Sequence, residues 1–593
     1  MFPKKKYTLF DCVRVVYKVI PFYALMRLVF DVVGGLLPAL VLVAIADFID
    51  AAIAAANTGA AVSTVLPEIA VLLGTFSLQW LLGSFSNLVN ARMTQVFSCR
   101  LWTEYIDFIQ PIAYRYFENE DSVTSMRRLR SQLTQKLREG YFSMLAILRS
   151  AVNVVSLLAI IVSAVWWAPI LIVLLSLPLF YVSQKSGKAR DVVEKEAEDI
   201  GEMEYATQGY MFTREFVEER MLFGYHKSVE KRWNIAKKKE DGLWVTYNLK
   251  WCAISGFCGA AVLCAAAIIA IAMIHPLLAG ALTIGSFIAL VNASVGMIGA
   301  FSWNLSVIIS DLTATQAFLK DLTAIANWER DQTAELPPST EIPEFQSLEF
   351  ENVVFAYPGV DRKILNGMSF KMEKGRHYAI VGANGAGKTT VTKLILGLYG
   401  NYEGRILLNG KELREWSYAE RKAIFSALLQ DYAKFSLSLR ENIALGALPS
   451  PETVDFETAV RLAGLTETVA ELPNGLDTPL GKLDEGGVDL SGGQWQRVAM
   501  ARTIAGGRPF CILDEPTAAL DPLAESRLYE EFGELAKDKT TIFITHRLGS
   551  VHLADEIIVL ADGVVAEEGS FAELEAKNGL FAEMYAAQKS WYE

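Results

Sequence analysis

The chain has 593 residues and a net charge of −12, with 52% hydrophobic and 21% charged residues. A mean hydropathy of +0.27 is high for a wholly soluble protein, yet the charged fraction excludes a uniformly apolar one, so a chain divided between membrane and solvent is indicated. The acidic pI near 5.2 argues against a nucleic-acid partner, which requires a basic surface.

The N-terminus and the cysteines exclude two further classes. The basic start MFPKKKYTLF is not followed by a short apolar core and a small-residue cleavage site, which argues against a removable signal peptide. The six cysteines have neither a metal-ligand spacing nor a disulfide-framework pattern.

Six long apolar segments occupy the first half of the chain, each close to the roughly 20 residues that a helix needs to cross a bilayer. Buried helices of a soluble protein are the alternative, and six in succession disfavour it. The predicted spans are Ile20–Ala46, Val65–Leu88, Leu148–Trp166, Ile170–Val182 (continuing into Ser183–Lys188), Ala253–Ile274 and Leu282–Ile309.

The charges between the spans predict their orientation. The connections after spans one, three and five contain no lysine or arginine, whereas those after spans two and four are long and basic. The positive-inside tendency therefore places both termini and the two long loops in the cytoplasm. Residues 92–145 and 185–250 are rich in Glu, Lys, Arg, Met and Leu, which predicts helices that continue into the cytosol. Each is expected to turn back, near Tyr116–Ser122 and near Gln208–Thr213.

The second half of the chain has a different pattern. The stretch DQTAELPPSTEIP (331–343) is typical of a linker. Beyond it, short apolar runs such as HYAIVG, PFCILDEP and TTIFIT alternate with helical patterns, which predicts a mostly parallel sheet. The predicted domains are a six-helix transmembrane domain over 1–328, a linker over 329–345 and an α/β P-loop NTPase domain over 346–593.

The segment GANGAGKT (382–389) matches the phosphate-loop pattern and lies between a predicted strand and a predicted helix. Its glycines allow backbone N–H groups to converge on phosphate oxygens at a helix N-terminus. Lys388 is expected to reach the β- and γ-phosphates of ATP, and the Thr389 hydroxyl to bind Mg²⁺. The predicted phosphate-binding residues are Gly382, Asn384, Gly385, Ala386, Gly387, Lys388, Thr389 and Thr390.

Polar residues at other strand ends complete a predicted hydrolytic site. Asp514 follows an apolar run and is expected to hold Mg²⁺, while Glu515 is the candidate that polarises the attacking water. His546 ends another apolar run, from which it can contact the γ-phosphate or the water. Gln430 ends a further run and is a candidate contact of Mg²⁺ or water. Tyr357, upstream of the phosphate loop, can either stack on adenine or pack in the core.

A second glycine-containing turn, LSGGQWQR (490–497), also opens a predicted helix, so that Ser491, Gly492 and Gly493 can present N–H groups to an anion. The order phosphate loop, Gln430, LSGGQ, ILDEP, ALD and THR resembles the ATPase domain of an ABC transporter. The six spans with two long cytoplasmic loops are similar to the exporter-type (type IV) transmembrane domain.

The resemblance implies a half-transporter, with one membrane domain and one ATPase domain per chain. It implies that the turn formed by Ser491, Gly492, Gly493 and Gln494 contacts ATP bound to the second subunit, and that Asp521 communicates across the dimer. The segments FENEDSVTSMRRL and TREFVEERMLFG resemble the two loops whose coupling helices dock on the ATPase domain. The sequence departs from the family at Ala519, where serine is common. It also has LGKLDEGGVDL before SGGQ, where many members have a shorter glycine-glutamate pattern.

The expected function is ATP-driven export of a peptide, lipid or amphipathic drug-like substrate by alternating access, from a multi-pass location in the cell inner (plasma) membrane. The motifs are most similar to bacterial exporters, including those for lantibiotic-type peptides. A homodimer and a heterodimer with another half-transporter both remain open. An exporter-shaped importer of iron-siderophore complexes is the alternative, and a cytosolic ABC ATPase is disfavoured by the spans. Polar residues within the spans can serve helix packing or substrate contact: Arg27, Asp31, Asn153, Asn292 and Asn304.

Overall fold

The computed structural model describes residues 2–589 apart from 165–167, 213, 300–304, 332–335, 483–485, 517–535 and 538. It divides into two compact units. The first comprises Met1–Phe108 and Thr124–Trp328, and the second comprises Ile109–Val123 and Glu329–Glu593. The units differ from the predicted domains in two respects, because residues 109–123 and the predicted linker 329–345 both belong to the second unit.

The first unit is helical, and several of its helices are much longer than a bilayer requires. The 44 residues of α3 extend about 66 Å at 1.5 Å per residue, against a hydrocarbon thickness of about 30 Å. The predicted helical continuations of the spans are thus present. The helices are α1 (Leu9–Val19), α2 (Pro21–Thr58), α3 (Leu66–Ile109), α4 (Arg115–Glu118, in the second unit), α5 (Glu120–Ala164), α6 (Ala168–Phe212), α7 (Arg214–Phe223), α8 (His226–Leu278), α9 (Ile284–Gly299) and α10 (Leu305–Ala326).

Within the described residues, three helical stretches are long and apolar enough to cross a membrane: Pro21–Thr58, Leu66–Ile109 and Glu120–Val162. Two shorter apolar stretches are Ala267–Leu278 and Ile284–Met297. Predicted spans four to six lie on α6, α8 and α9–α10, which include or adjoin residues outside the described part. Helices of this length and composition indicate a multi-pass membrane protein.

Among the polar residues of the predicted spans, Arg27 and Asp31 form an ion pair one helical turn apart on α2. Arg27 Nε donates to Asp31 Oδ2 at 2.7 Å, and Arg27 Nη1 donates to Ser86 Oγ at 2.5 Å. Arg149 Nη1 lies 3.7 Å from Asp31 Oδ1, and Asp31 is only 3% exposed. The buried carboxylate therefore has two cationic partners. Asn304 lies outside the described residues.

The second unit contains two sheets. The strands are β1 (Ser347–Phe355), β2 (Leu365–Glu373), β3 (His377–Gly382), β4 (Glu403–Leu408), β5 (Lys411–Glu412), β6 (Phe425–Leu428), β7 (Phe510–Asp514), β8 (Thr540–Ile544), β9 (Glu556–Ala561) and β10 (Val564–Gly569). An antiparallel sheet has the order β2-β1-β4-β5, and a six-stranded sheet has the order β10-β9-β3-β8-β7-β6. The second is parallel except at β10, as the alternating pattern predicts. The antiparallel sheet was not predicted from the sequence.

Helices connect these strands, and most are short. They are α11 (Lys388–Ile395), α12 (Tyr418–Ile424), α13 (Leu439–Ala444), α14 (Phe456–Leu462), α15 (Thr466–Glu471) and α16 (Gly492–Ala505), with Phe571–Lys577 and Leu580–Lys589 near the end. One apolar core, which includes Phe350, Tyr378 and Leu394, joins both sheets to α11. A separate core packs α13, α14 and α16 against β7 and β8.

The parallel pairing brings the predicted site residues to one edge of the six-stranded sheet. Strand β8 pairs with β3 on one side and with β7 on the other, and β7 also pairs with β6. Because parallel strands run in the same direction, the segments that follow β3, β6, β7 and β8 all emerge at the carboxyl edge.

Candidate nucleotide-binding and hydrolysis site

The phosphate loop connects β3 to α11, and its conformation requires glycine. Gly382, Gly385 and Gly387 have φ values of 152°, 83° and 104°. A Cβ on Gly382 would lie 2.4 Å from the Leu560 carbonyl oxygen, and one on Gly387 would lie 2.7 Å from the Leu365 side chain. A side chain on Gly382 or Gly387 would therefore collide with the strands, and glycine at these positions allows the backbone to form a cradle at the start of α11. Such a cradle fits a phosphate chain.

Lys388 begins α11 and is almost fully buried, at 6% exposure. Its Nζ donates to the carbonyl oxygens of Gly382 at 2.8 Å and Ala383 at 3.1 Å. Burial lowers the pKa of Lys388, while the carboxylates of Glu515 and Asp514 oppose that shift. The cation is thus held inside the loop, where a phosphate oxygen could replace the carbonyl contacts. Within the loop, Ala386 and Thr390 are buried, whereas Asn384, Gly385 and Thr389 are exposed.

Asp514 is the last residue of β7 and is 3% exposed. Burial raises its pKa to about 6; the nearby Glu515 carboxylate also raises it, while Lys388 lowers it and Asp431 contributes a further rise. A buried carboxyl beside other acids is an environment that a cation would stabilise. The donor set therefore fits Mg²⁺ binding by Asp514, with the Thr389 hydroxyl at the start of the neighbouring helix.

Glu515 follows directly and has the left-handed backbone conformation, with φ of 50°. Its N–H donates to the Ile544 carbonyl at 2.8 Å, which ties the turn to the end of β8. Such a conformation costs about 1 kcal/mol or more in a residue other than glycine, and these outliers are concentrated at functional sites. The left-handed conformation of Glu515 thus follows directly on the end of β7 at Asp514.

The Glu515 carboxylate contacts both other predicted catalytic side chains. Gln430 Nε2 donates to Glu515 Oε2 at 3.2 Å, and His546 Nε2 lies 3.1 Å from Glu515 Oε1. Burial and the Lys388 cation lower the pKa of His546, with Glu515 opposing, which favours the neutral imidazole. A neutral imidazole and an amide both hold the carboxylate without neutralising it, and a carboxylate held this way can orient a water molecule and accept its proton.

Two residues that the sequence analysis did not single out also belong to this site. Gln496 is 5% exposed, and its Nε2 donates to the Glu515 carbonyl at 2.9 Å. Asp431 contributes to the raised pKa of Asp514. Gln496 lies within LSGGQWQR, but helical spacing alone does not reveal that its side chain reaches Glu515, the residue after β7. Asp431 directly follows Gln430, so its place next to a predicted site residue could have identified it from the sequence.

Tyr357 packs partly against the core. Its hydroxyl lies 3.0 Å from Thr390 Oγ1, and its ring is edge-on to Phe355 and Tyr399 with centroids 5.2 and 5.5 Å apart. The ring is nevertheless only half-buried. The packing alternative is therefore realised in part, and stacking on adenine stays a prediction.

The turn formed by Ser491, Gly492, Gly493 and Gln494, called the signature turn below, caps α16 through its own side chains. Gln494 N–H donates to Ser491 Oγ at 3.2 Å, and Ser491 N–H donates to Gln494 Oε1 at 2.9 Å. The Ser491 N–H was expected to face an anion, but in the structure it is hydrogen-bonded to the Gln494 side chain within the turn. Gly492 and Gly493 remain the first-turn donors, and Ser491 and Gly492 are exposed. Asp521 and Ala519 lie outside the described residues.

Comparison with known proteins shows what these features are similar to. Residues 365–518 match the ABC transporter family model. An ATP-dependent lipid A-core flippase of Salmonella paratyphi A is 38% identical over 241 residues, which is 41% of this chain and 41% of the relative. An ATM1-type heavy metal exporter of Novosphingobium aromaticivorans is 39% identical over 242 residues, or 41% of this chain and 39% of the relative.

The match to these curated relatives thus spans about two fifths of their length. A solved structure of a bacterial Atm1-family ABC exporter with ATP bound is similar over nearly the whole chain. It covers 95% of this chain and 98% of its own, with a TM-score of 0.77 and 24% identity. The predicted fold class, a helical transmembrane domain fused to an α/β P-loop NTPase domain, is confirmed. Residues 365–518 therefore match the ABC transporter family model, and the chain has the fold of that ABC exporter structure.

Proposed function

We propose that the chain is an ATP-hydrolysing half-transporter that exports a peptide, lipid or amphipathic drug-like substrate by alternating access. The relatives named above are a flippase and an exporter, which supports export over the importer alternative. The apolar helices would form the substrate path in the cell inner (plasma) membrane, with the ATPase domain and both termini in the cytoplasm.

The observation that carries the proposal is the contact of Gln430 and His546 with Glu515 at the carboxyl edge of the sheet that also presents Lys388. The phosphate loop and Lys388 would bind the phosphates of ATP. Mg²⁺, held by Thr389, Asp514 and Gln430, would polarise the phosphoryl oxygens and offset their charge. Glu515 would accept the proton of the attacking water, while His546 and Gln430 hold its carboxylate in place.

A second subunit, identical or different, would complete the site. The exposed Ser491 and Gly492 lie at the N-terminal end of α16, where the helix dipole favours an anion. ATP bound by one phosphate loop would be covered by the partner's signature turn. Because charged phosphate is then buried only in the closed dimer, ATP would favour closure, and hydrolysis would release it.

The test is ATP turnover by the purified full chain in nanodiscs. Glu515→Gln removes the proton acceptor but keeps the shape of the side chain, so turnover is expected to fall about 100-fold or more while MgATP binding is retained. Glu467→Gln, at an exposed position on α15, serves as the control for a lost carboxylate. Wild-type turnover in Glu515→Gln would refute the assignment of the base.

Transport direction requires a separate measurement. Inside-out vesicles that contain the full chain are incubated with labelled peptides, lipids and amphipathic drugs in turn. An exporter accumulates its substrate in these vesicles only when ATP is supplied. Uptake into right-side-out vesicles instead would favour the importer.

A further inference from the structure

The segment 109–123, which interrupts the first unit in sequence, is fixed to the ATPase unit by backbone contacts. Ala113 N–H donates to the Glu329 carbonyl at 3.1 Å, and Asp331 N–H donates to the Pro111 carbonyl at 2.8 Å. An isolated antiparallel bridge joins Ile112 to Arg330. The segment therefore lies beside the start of the predicted linker, and it presents α4 to the ATPase domain.

Glu118, the last residue of α4, is the centre of a polar cluster on that surface. Its carboxylate accepts hydrogen bonds from the hydroxyls of Tyr114 and Tyr399 and forms an ion pair with Lys393. The Tyr114 and Tyr399 rings are edge-on, with centroids 5.6 Å apart. The Glu118 and Lys393 side chains are 30% and 23% exposed, so the pair is sheltered more than an ordinary surface salt bridge.

The same lysine contacts the candidate adenine-stacking ring. Lys393 is on α11, the helix that begins at the phosphate loop, and its Nζ lies 5.4 Å from the centroid of the Tyr357 ring. Tyr399 contacts Tyr357 edge-on, and the Tyr357 hydroxyl is bonded to Thr390. Glu118 thus contacts two of the groups around the Tyr357 ring, Lys393 through an ion pair and Tyr399 through a hydrogen bond.

We propose that Glu118 and Lys393 are positioning residues that hold the Tyr357 ring for adenine, so that segment 109–123 sets the nucleotide affinity of its own chain. This inference rests on the proposed function. An ammonium attracted to the ring restricts its orientation, and an ordered ring loses less conformational entropy when a base stacks on it. Because the coupling between two sites is reciprocal, bound nucleotide would in turn strengthen the hold of the ATPase domain on Glu118.

The test measures equilibrium binding of MgADP to the full chain in nanodiscs by calorimetry. Glu118→Gln is expected to weaken MgADP about 3- to 10-fold, and Lys393→Met to do the same from the other side of the pair. Glu120→Gln removes a carboxylate from an exposed position two residues along and is expected to bind as wild type.

Two further measurements separate positioning from general damage. Inorganic tripolyphosphate has no base, so its affinity is expected to be equal in Glu118→Gln and wild type. In a Tyr357→Ala background, adding Glu118→Gln is expected to cause no further loss of MgADP affinity. Wild-type MgADP affinity in Glu118→Gln, an equal loss for tripolyphosphate, or the same loss in the Tyr357→Ala background overturns the inference. A wild-type chain that binds no nucleotide would instead overturn the proposed function.

Discussion

The carboxyl edge of the six-stranded sheet and the apolar helices of the first unit both bury an acidic residue, but the charges that surround the two carboxyl groups differ. Asp31 is surrounded by cations, since Arg27 and Arg149 both lie within 4 Å of its carboxylate. Asp514 instead adjoins Glu515 and Asp431, with Lys388 opposing, and its pKa is raised to about 6. A buried acid whose charge is compensated by cations indicates a packing role, whereas a buried acid beside more acids than cations indicates a functional site.

The largest effect is expected from removing the cation at the sheet edge. Lys388→Ala should lower MgATP affinity by about 100-fold or more, because the phosphates lose their buried charge partner. The measurement is calorimetry on the full chain in nanodiscs, with Lys371→Ala, at an exposed position on β2, as the lysine control. A loss in Lys388→Ala no greater than that in Lys371→Ala would contradict the central role of Lys388.

In the helices, breaking the compensated pair should destabilise the protein rather than change ATP binding. Asp31→Ala leaves Arg27 without its buried partner, at an expected cost of about 3–5 kcal/mol in the free energy of unfolding. Thermal unfolding of the first unit in nanodiscs reports the change. The double variant Arg27→Met/Asp31→Leu should recover most of the loss, because it removes both members of the closer ion pair and leaves only Arg149, whose side chain is 53% exposed, without that carboxylate. A single variant as stable as wild type would mean that the pair does not support packing.

At the sheet edge, replacing Asp514 by a neutral residue should instead raise the free energy of unfolding. The folded pKa of Asp514 is raised, so its ionisation disfavours the nucleotide-free fold once the pH passes from about 4 through 6. Asp514→Asn is therefore expected to stabilise the nucleotide-free protein by about 1–3 kcal/mol at pH 8, with a smaller gain at pH 5. Thermal unfolding at the two pH values tests this. A gain that is equal at both would show that ionisation is not its cause.

The smallest expected effect concerns the contact from α16 to the catalytic turn. Gln496→Met removes the donor to the Glu515 carbonyl, which should cost about 1 kcal/mol, or roughly a five-fold loss in ATP turnover, with little change in MgATP affinity. Thr503→Ala, a buried change on the same helix, is the control for packing. Equal turnover in the two variants would argue against a positioning role for Gln496.

The sequence by itself determined the parts of this protein that depend on local pattern. Apolar length predicted helices that can cross a membrane, because a bilayer requires about 20 apolar residues in succession. The phosphate-loop spacing predicted a glycine-containing turn beside Lys388 that can bind phosphate, and in the structure Gly382, Gly385 and Gly387 have positive φ values there. Acids, amide and imidazole at the ends of apolar runs predicted a shared site, since parallel strands end at one edge.

The tertiary structure decided what depends on residues far apart in the chain. The Gln496 contact with Glu515, the double pairing of Asp31 and the location of Glu118 beside Lys393 each join different elements. No periodicity in the sequence specifies such contacts. The bond from the Ser491 N–H to the Gln494 side chain is local by contrast, and the Ser-x-x-Gln spacing of a capping box was an available sequence signal for it. Residue type and spacing select the chemistry, but packing determines which polar groups meet, because long-range contacts depend on how the strands and helices are arranged in space.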